Sequence, residues 1–135
     1  MARRKGDAAR AHAACIYRIL LETRPAGLEF PQILAACELT RSQVRDGLAM
    51  LRDQIAEQDW PPLVYSRRDK WYFFTADPDE LESYEVMWVR ARLTQVRRFI
   101  NGTLIPHTRL APDDKRVRFI NSQITAVEST LDLIA

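Results

Sequence analysis

An apolar stripe of helical spacing near the middle of the chain limits the possible folds more than any other feature. Four aliphatic residues lie four, three and four positions apart: Val44, Leu48, Leu51 and Ile55. This spacing places them on one face of a helix. Thr40 precedes the stripe, and its hydroxyl can accept a hydrogen bond from a backbone N–H of the first turn. We therefore predict a helix over residues 41–57 with one buried face.

Two helices and a short strand are predicted before it. Residues 7–23 form the first helix, which Asp7 caps and the Pro25 region ends. Its apolar face consists of Ala9, Ala13, Ile16 and Leu20. Residues 28–30 suit a short strand, and Pro31 opens a second helix because its missing N–H costs nothing there. The inward face of the second helix is predicted to contain Ile33, Leu34 and Ala36.

A hairpin with a basic tip is predicted after the third helix. Residues 63–65 and 71–74 are rich in β-branched and aromatic side chains, which favour strands. The five residues that link them, 66–70, include three cations. The order of elements so far is helix, strand, helix, helix, strand, strand.

Residues 33–48 resemble the helix-turn-helix of bacterial winged-helix regulators. The matching positions, in order, are Ala36, Leu39, Thr40, Val44 and Leu48. Glu38 departs from the pattern, because the turn usually carries Gly there. A non-Gly residue in the left-handed conformation costs roughly 1 kcal/mol, so we expect a slightly different turn.

The resemblance implies a fold class and a domain division. The chain is expected to be mostly α with a small β-hairpin wing. Residues 1–76 would form a winged helix-turn-helix domain, and residues 77–135 a two-helix, coiled-coil-like extension. The architecture is similar to that of the MarR and PadR groups of regulators, which dimerise through helices added after the wing.

Double-stranded DNA is the partner that the exposed polar residues favour. The N-terminal end of the third helix would enter the major groove. Gln43 and Arg45 are expected at base edges, with Arg41 and Ser42 closer to phosphates. The alternative for each of them is an ordinary solvated polar residue. The full set of candidate DNA-binding residues is Thr40, Arg41, Ser42, Gln43, Arg45, Arg67, Arg68 and Lys70, with Arg3, Arg4 and Lys5 as an N-terminal arm.

The last third of the chain carries two heptad-like stripes. We expect one helix from about residue 77 to Asn101-Gly102, a loop containing Pro106 and Pro112, and a final helix from about Asp113. The stripes can pair within one chain or between two, and we favour a homodimer. The expected interface residues are Val86, Val89, Leu93, Val96, Ile100, Val117, Ile120, Ile124, Val127, Leu131 and Ile134.

Composition excludes several other classes of protein. No apolar run approaches the ~20 residues of a membrane-spanning helix, and no signal-peptide stretch follows the basic start, so a cytoplasmic, nucleoid-associated protein is expected. Cys and His are not at metal-ligand spacing, so no metal or cofactor is expected. The acids Asp77, Asp79, Glu80, Glu82 and Glu85 suit the start of a helix. With no nucleophile motif and no phosphate-cradling glycine loop, we predict no enzyme.

Three functional hypotheses follow from these observations. The first is a transcriptional repressor that binds a pseudo-palindromic site as a homodimer. The second is a DNA-binding protein for replication initiation, partition or phage recombination control. The third is a winged helix that serves only as a protein-interaction module. A small-molecule effector is left open, since Trp60, Trp88 and Tyr84 could line a pocket, although core packing is the expected use of these rings.

Overall fold

The structure, a computed structural model, describes residues 5–135, which are mostly helical with one small antiparallel sheet. The elements are α1 (Lys5–Thr23), β1 (Leu28–Glu29), α2 (Phe30–Cys37), α3 (Arg41–Gln58), β2 (Leu63–Ser66), β3 (Trp71–Phe74), α4 (Pro78–Phe99), a π-helical segment (Ile100–Leu104), α5 (Ile105–Leu110) and α6 (Lys115–Ile134). The chain divides into two compact units, one ending at Leu81 and one covering residues 82–135. No helix in the described part is long and apolar enough to cross a membrane.

The core of the first unit lies where α1 packs against α3. The predicted stripe of α3 is confirmed: Val44, Leu48 and Leu51 are buried, and Ile55 is half-buried. Its partners on α1 are Ala13, Ile16 and Leu20, all buried. The two helices approach closely at Gly47, where an added Cβ would lie 2.8 Å from the Cδ1 atom of Ile16.

The short helix α2 presents a different face from the one predicted. Ile33 is buried and Leu34 half-buried, but Ala36 is exposed, so the prediction of Ala36 as an inward residue was wrong. Cys37 packs against the core instead. It lies four residues after Ile33 and therefore nearly on the same face of the helix, whereas Ala36 is turned away from Leu34.

The turn between α2 and α3 contains a residue in the left-handed conformation, although the residue there is Glu38 and not glycine. Glu38 has φ 53° and ψ 46°, so the expectation of a different turn was wrong. The Leu39 N–H donates to the carbonyl of Leu34 at 3.1 Å, and this bond closes the end of α2. The chain then passes directly to Thr40, the N-cap of α3.

The three strands form a sheet in the order β1-β3-β2, with both pairs antiparallel. Phe74 faces the core, where its ring meets Tyr17 edge-on at 5.7 Å between centroids. Gly27, just before β1, is buried against β3: an added Cβ would lie 2.5 Å from the carbonyl oxygen of Tyr72. The short first strand is thus held on the edge of the hairpin.

In the second unit the helix runs on past the predicted end. Asn101 and Gly102 lie in the π-helical segment, and α5 follows with Pro106 in its first turn, so the predicted helix end and the loop position of Pro106 were wrong. Pro112 does lie in a loop, as predicted. The N–H of Ile105 donates to the carbonyl of Ile100, a wider turn that carries the chain past the proline. Only residues 111–114 separate α5 from α6, and Asp114 caps α6 through the N–H groups of Arg116 and Val117.

Candidate nucleic-acid interface

Three arginines form a stripe along the flank of α3 that faces the sheet. Arg41, Arg45 and Arg52 are spaced four and seven residues apart and are exposed. This spacing keeps them on one side of the helix, next to the buried Leu48. We call these three residues the arginine stripe.

Two guanidinium groups of the stripe rest on aromatic rings of neighbouring elements. The Cζ atom of Arg41 lies 5.8 Å from the centroid of the Phe30 ring, at the start of α2. The Cζ atom of Arg52 lies 5.9 Å from the centroid of the Tyr72 ring, in β3. At exposed sites a cation–π contact contributes about 0.5–1 kcal/mol, so the rings favour these positions of the two guanidinium groups. The fold therefore places an aromatic ring beside each of these two cations.

An open cleft of about 310 Å³ lies along the stripe. Its lining residues are Phe30, Arg41, Arg45, Leu48, Arg52 and Tyr72. Among residues 5–135, the ion pairs found within 4.0 Å involve none of the three arginines. The cleft therefore carries positive charge without a carboxylate partner in the described part of the chain. Guanidinium groups donate hydrogen bonds in a planar fork that suits phosphate oxygens, so the cleft fits a polyanion.

The structure engages two of the predicted DNA-binding residues in a helix cap. The Gln43 N–H donates to the Thr40 hydroxyl at 3.2 Å, and the Thr40 N–H donates to Oε1 of Gln43 at 2.9 Å. Gln43 and Arg45 also lie about 160° apart around the helix axis, because consecutive residues are rotated by about 100°. Gln43 therefore stabilises the start of α3, and its role at a base edge stays a prediction that would require this cap to open. Ser42, between them, is exposed.

The turn between β2 and β3 brings the predicted basic tip to the surface. Arg67 and Lys70 are exposed, and the side chain of Arg68 is 91% exposed. The Lys70 N–H donates to the Ser66 carbonyl at 2.7 Å, with Lys70 itself in the left-handed conformation, φ 58°. Asp69 lies 3.6 Å from Nε of Arg68 and offsets part of the charge. The tip retains a net positive charge.

The remaining predicted residues are not part of the arginine stripe or the hairpin tip, or lie outside the described part of the chain. Arg3 and Arg4 lie outside the described residues, and Lys5 is the first residue of α1. Trp60 stacks on Tyr17 with 4.0 Å between ring centroids, a core contact. Trp88, half exposed on α4, carries the Arg92 guanidinium over its ring at 4.7 Å.

Sequence reasoning missed Arg52 and the two rings that position the stripe. The spacing of Arg41, Arg45 and Arg52 on one flank of α3 was a signal that could have found the third arginine. Protein-family models, curated proteins and solved structures were each compared with this chain, and none of them matched. Function is therefore inferred from the arginine stripe and its surroundings.

Proposed function

We propose that this chain is a winged helix-turn-helix protein that binds double-stranded DNA. The observation that carries the proposal is the arginine stripe, three cations without a carboxylate partner among residues 5–135, beside the sheet. The element order and the sheet order β1-β3-β2 support it, since the hairpin lies where a wing is expected. The proposal includes no catalysis.

The two basic regions of the first unit have separate roles in this proposal. Arg45 lies in the first turns of α3 and reads a base edge, while Arg52 lies two turns further along and contacts a phosphate. The hairpin tip, Arg67 to Lys70, lies along the backbone or enters the minor groove. The protein thus uses one group for sequence and several for affinity.

The test measures the affinity for DNA by fluorescence anisotropy, between about 50 and 200 mM salt. It uses one duplex of random sequence and one duplex selected for tight binding to this protein. Arg52→Ala should weaken both duplexes alike and lower the slope of log K against log salt by about 1. Arg45→Ala should cost about 1–3 kcal/mol on the selected duplex and relax specificity at one position. Arg118→Ala, an exposed arginine of α6, is the matched control for loss of one charge.

The outcomes separate the proposal from its alternative. A control that weakens binding as much as Arg52→Ala would mean that only net charge matters, and the stripe would not be the site. If the protein binds neither duplex at the lowest salt concentration, it would instead be a winged helix that serves only as a protein-interaction module. The exposed apolar residues of the second unit favour that alternative. Equal losses on both duplexes for Arg45→Ala would remove its role at a base edge.

In this proposal, the chain forms a homodimer through its second unit. Leu93, Ile100 and Val117 are buried within the chain, but Ile120, Val127 and Ile134 are 37%, 45% and 54% exposed at intervals of seven residues. A stripe of that period suits a second helix. With two copies, two α3 helices would meet a pseudo-palindromic site.

Light scattering after size-exclusion chromatography tests the dimer. We expect twice the 15.6 kDa of one chain at micromolar concentration. Val127→Lys should reduce the mass to that of one chain, and Thr125→Lys, exposed on another face of α6, should leave the dimer intact. A monomeric wild type would refute the dimer.

The cellular role proposed is transcriptional repression by a nucleoid-associated protein. A DNA-bound dimer can block a promoter, which needs no activity beyond binding. Mapping of the bound loci in the cell decides between promoters and a replication, partition or attachment locus. Binding confined to such a locus would replace repression by the second hypothesis.

A further inference from the structure

The two cysteines of the chain lie together at the contact between α1 and α2. Cys15 is on α1 and Cys37 is the last residue of α2, and both are half-buried free thiols. Their side chains interact with each other, and Cys37 also packs against the core. Residues 22 positions apart in sequence are thus brought together by the fold.

Arg18, one turn after Cys15, adds a cation to this pair. Its Nη2 atom donates to Sγ of Cys15 at 3.9 Å. The guanidinium also acts on Cys37, as an electrostatic influence that favours the thiolate. Reactive cysteines are found in such partly exposed, electropositive surroundings. The fold therefore provides two thiols and one cation within a single cluster.

We propose that Cys15 and Cys37 are an oxidation site, at which a hydroperoxide converts the two thiols into a disulfide that joins α1 to α2. The oxidant is hydrogen peroxide or an organic hydroperoxide. Two thiols lose two electrons and two protons, and the peroxide is reduced to water, or to an alcohol and water.

The chemistry divides between the two sulfurs. The Cys15 sulfur, which accepts a hydrogen bond from Arg18, attacks the peroxide oxygen and gives up its proton, so the O–O bond breaks and a sulfenic acid forms together with water or an alcohol. The Cys37 sulfur then attacks the sulfenic sulfur, and the S–S bond forms as water leaves with the Cys37 proton. Burial and the neighbouring Cys15 raise the pKa of Cys37 to about 12, although Arg18 opposes the shift. The Cys37 thiol therefore gives up its proton less readily than an ordinary cysteine does, and it acts second.

The position of the pair gives the oxidation a structural consequence. Cys37 directly precedes Glu38, the left-handed residue of the turn, and Thr40, the cap of α3, follows three residues after Cys37. A bond of about 2.05 Å between the sulfurs would tie the end of α2 to α1. This constraint acts three residues before the cap of α3, so we expect about tenfold weaker DNA binding in the oxidised protein. The loss of DNA binding rests on the proposed function, whereas the disulfide does not.

The experiment treats the reduced full-length chain with hydrogen peroxide, blocks remaining thiols with N-ethylmaleimide and digests with trypsin without reductant. Trypsin does not cleave before Pro25, so the bridged product is one peptide pair, residues 11–18 joined to residues 19–41. Its mass should be lower by two hydrogen atoms than the sum of the two free peptides. The disulfide should form faster in the native protein than in urea.

Single variants test the order of the two steps. In Cys37→Ser, peroxide should leave Cys15 as a sulfenic acid that dimedone captures. In Cys15→Ser, Cys37 should remain a free thiol under the same treatment. If both thiols of the wild type stay reactive to N-ethylmaleimide, if only disulfides between two chains form, or if the rate is the same in urea, the proposal is wrong.

DNA binding distinguishes the two proposals. Anisotropy on the reduced and the oxidised protein should show the tenfold difference, and Cys15→Ser should show none after peroxide. If the disulfide forms but the affinity for DNA does not change, the oxidation site stands and its proposed effect on DNA binding is refuted. A reduced protein that binds no duplex refutes the proposed function alone.

Discussion

Replacement of Gly27 by Ala tests the closest approach between β1 and β3. An added Cβ would lie 2.5 Å from the carbonyl oxygen of Tyr72 and 2.6 Å from Cγ of the Trp71 ring, whereas ordinary contact begins at 3.4 Å. One of these neighbours is backbone, so a change of rotamer cannot relieve it. The strand edge must move by about 0.9 Å to accept the methyl group.

The expected magnitude combines two opposing effects. Overpacking of a close-packed site costs about 1–3 kcal/mol. Ala in place of Gly also restricts the unfolded chain, which returns about 0.4–1 kcal/mol where the backbone conformation suits Ala. Gly27 does not have a positive φ, so this gain applies. The free energy of unfolding of the first unit should therefore fall by about 1–2 kcal/mol.

Urea denaturation followed by tryptophan fluorescence measures the change. A Trp88→Phe background leaves Trp60 and Trp71, both in the first unit, as the reporters. The midpoint should fall by roughly 0.5–1 M for Gly27→Ala. Gly6→Ala is the control, because nothing lies within 4 Å of its added Cβ. If the two variants unfold at the same urea concentration, the packing argument for Gly27 is refuted.

Three further predictions concern caps and a thiol. Thr40→Ala removes the hydroxyl that accepts from the Gln43 N–H and should destabilise the first unit by about 1 kcal/mol in the same assay, with Thr40→Ser as a nearly neutral control. Asp114→Ala leaves two N–H groups of α6 without their cap, so the free energy of unfolding of residues 82–135 should fall by about 1 kcal/mol and the melting temperature should fall with it. Asp113→Ala should change neither quantity. Burial raises the pKa of Cys37 from 9.0 to about 12, so between these pH values the unfolded chain loses the proton that the folded chain keeps. Stability should thus fall as pH rises above 9, and less steeply in Cys37→Ala; parallel pH profiles of the two proteins would contradict the shift.

Local periodicity was sufficient for most of the first unit. The stripe of α3, the Thr40 cap, the strand before Pro31 and the hairpin with its basic tip all follow from patterns within a few residues. Two predictions were wrong because the local signals were too weak or were overridden. Ala36 was placed inward because only eight residues define α2, too few to fix its orientation by spacing. Gly102 and Pro106 are strong helix-ending signals, yet the π-helical segment carries the chain past both.

The candidate site was predicted only in part, because its geometry joins residues from three elements. Arg45 and the hairpin cations were predicted from charge and position, but Gln43 is bound within a cap that its own sequence spacing, Thr40 to Gln43, could have indicated. Arg52 was missed although its spacing from Arg41 and Arg45 places all three on one flank of α3, and only the fold shows that it lies beside Tyr72.

In the first unit the sequence by itself determined which segments are helical or extended, because caps, prolines and apolar periodicity act between residues at most a few positions apart. Tertiary structure alone decided which side chains meet. The rings of Phe30 and Tyr72 under the arginine stripe, the contact of Cys15 with Cys37, and the close approach of Gly27 to Tyr72 all join distant parts of the chain. Such contacts depend on how the helices and strands pack, which no local pattern specifies.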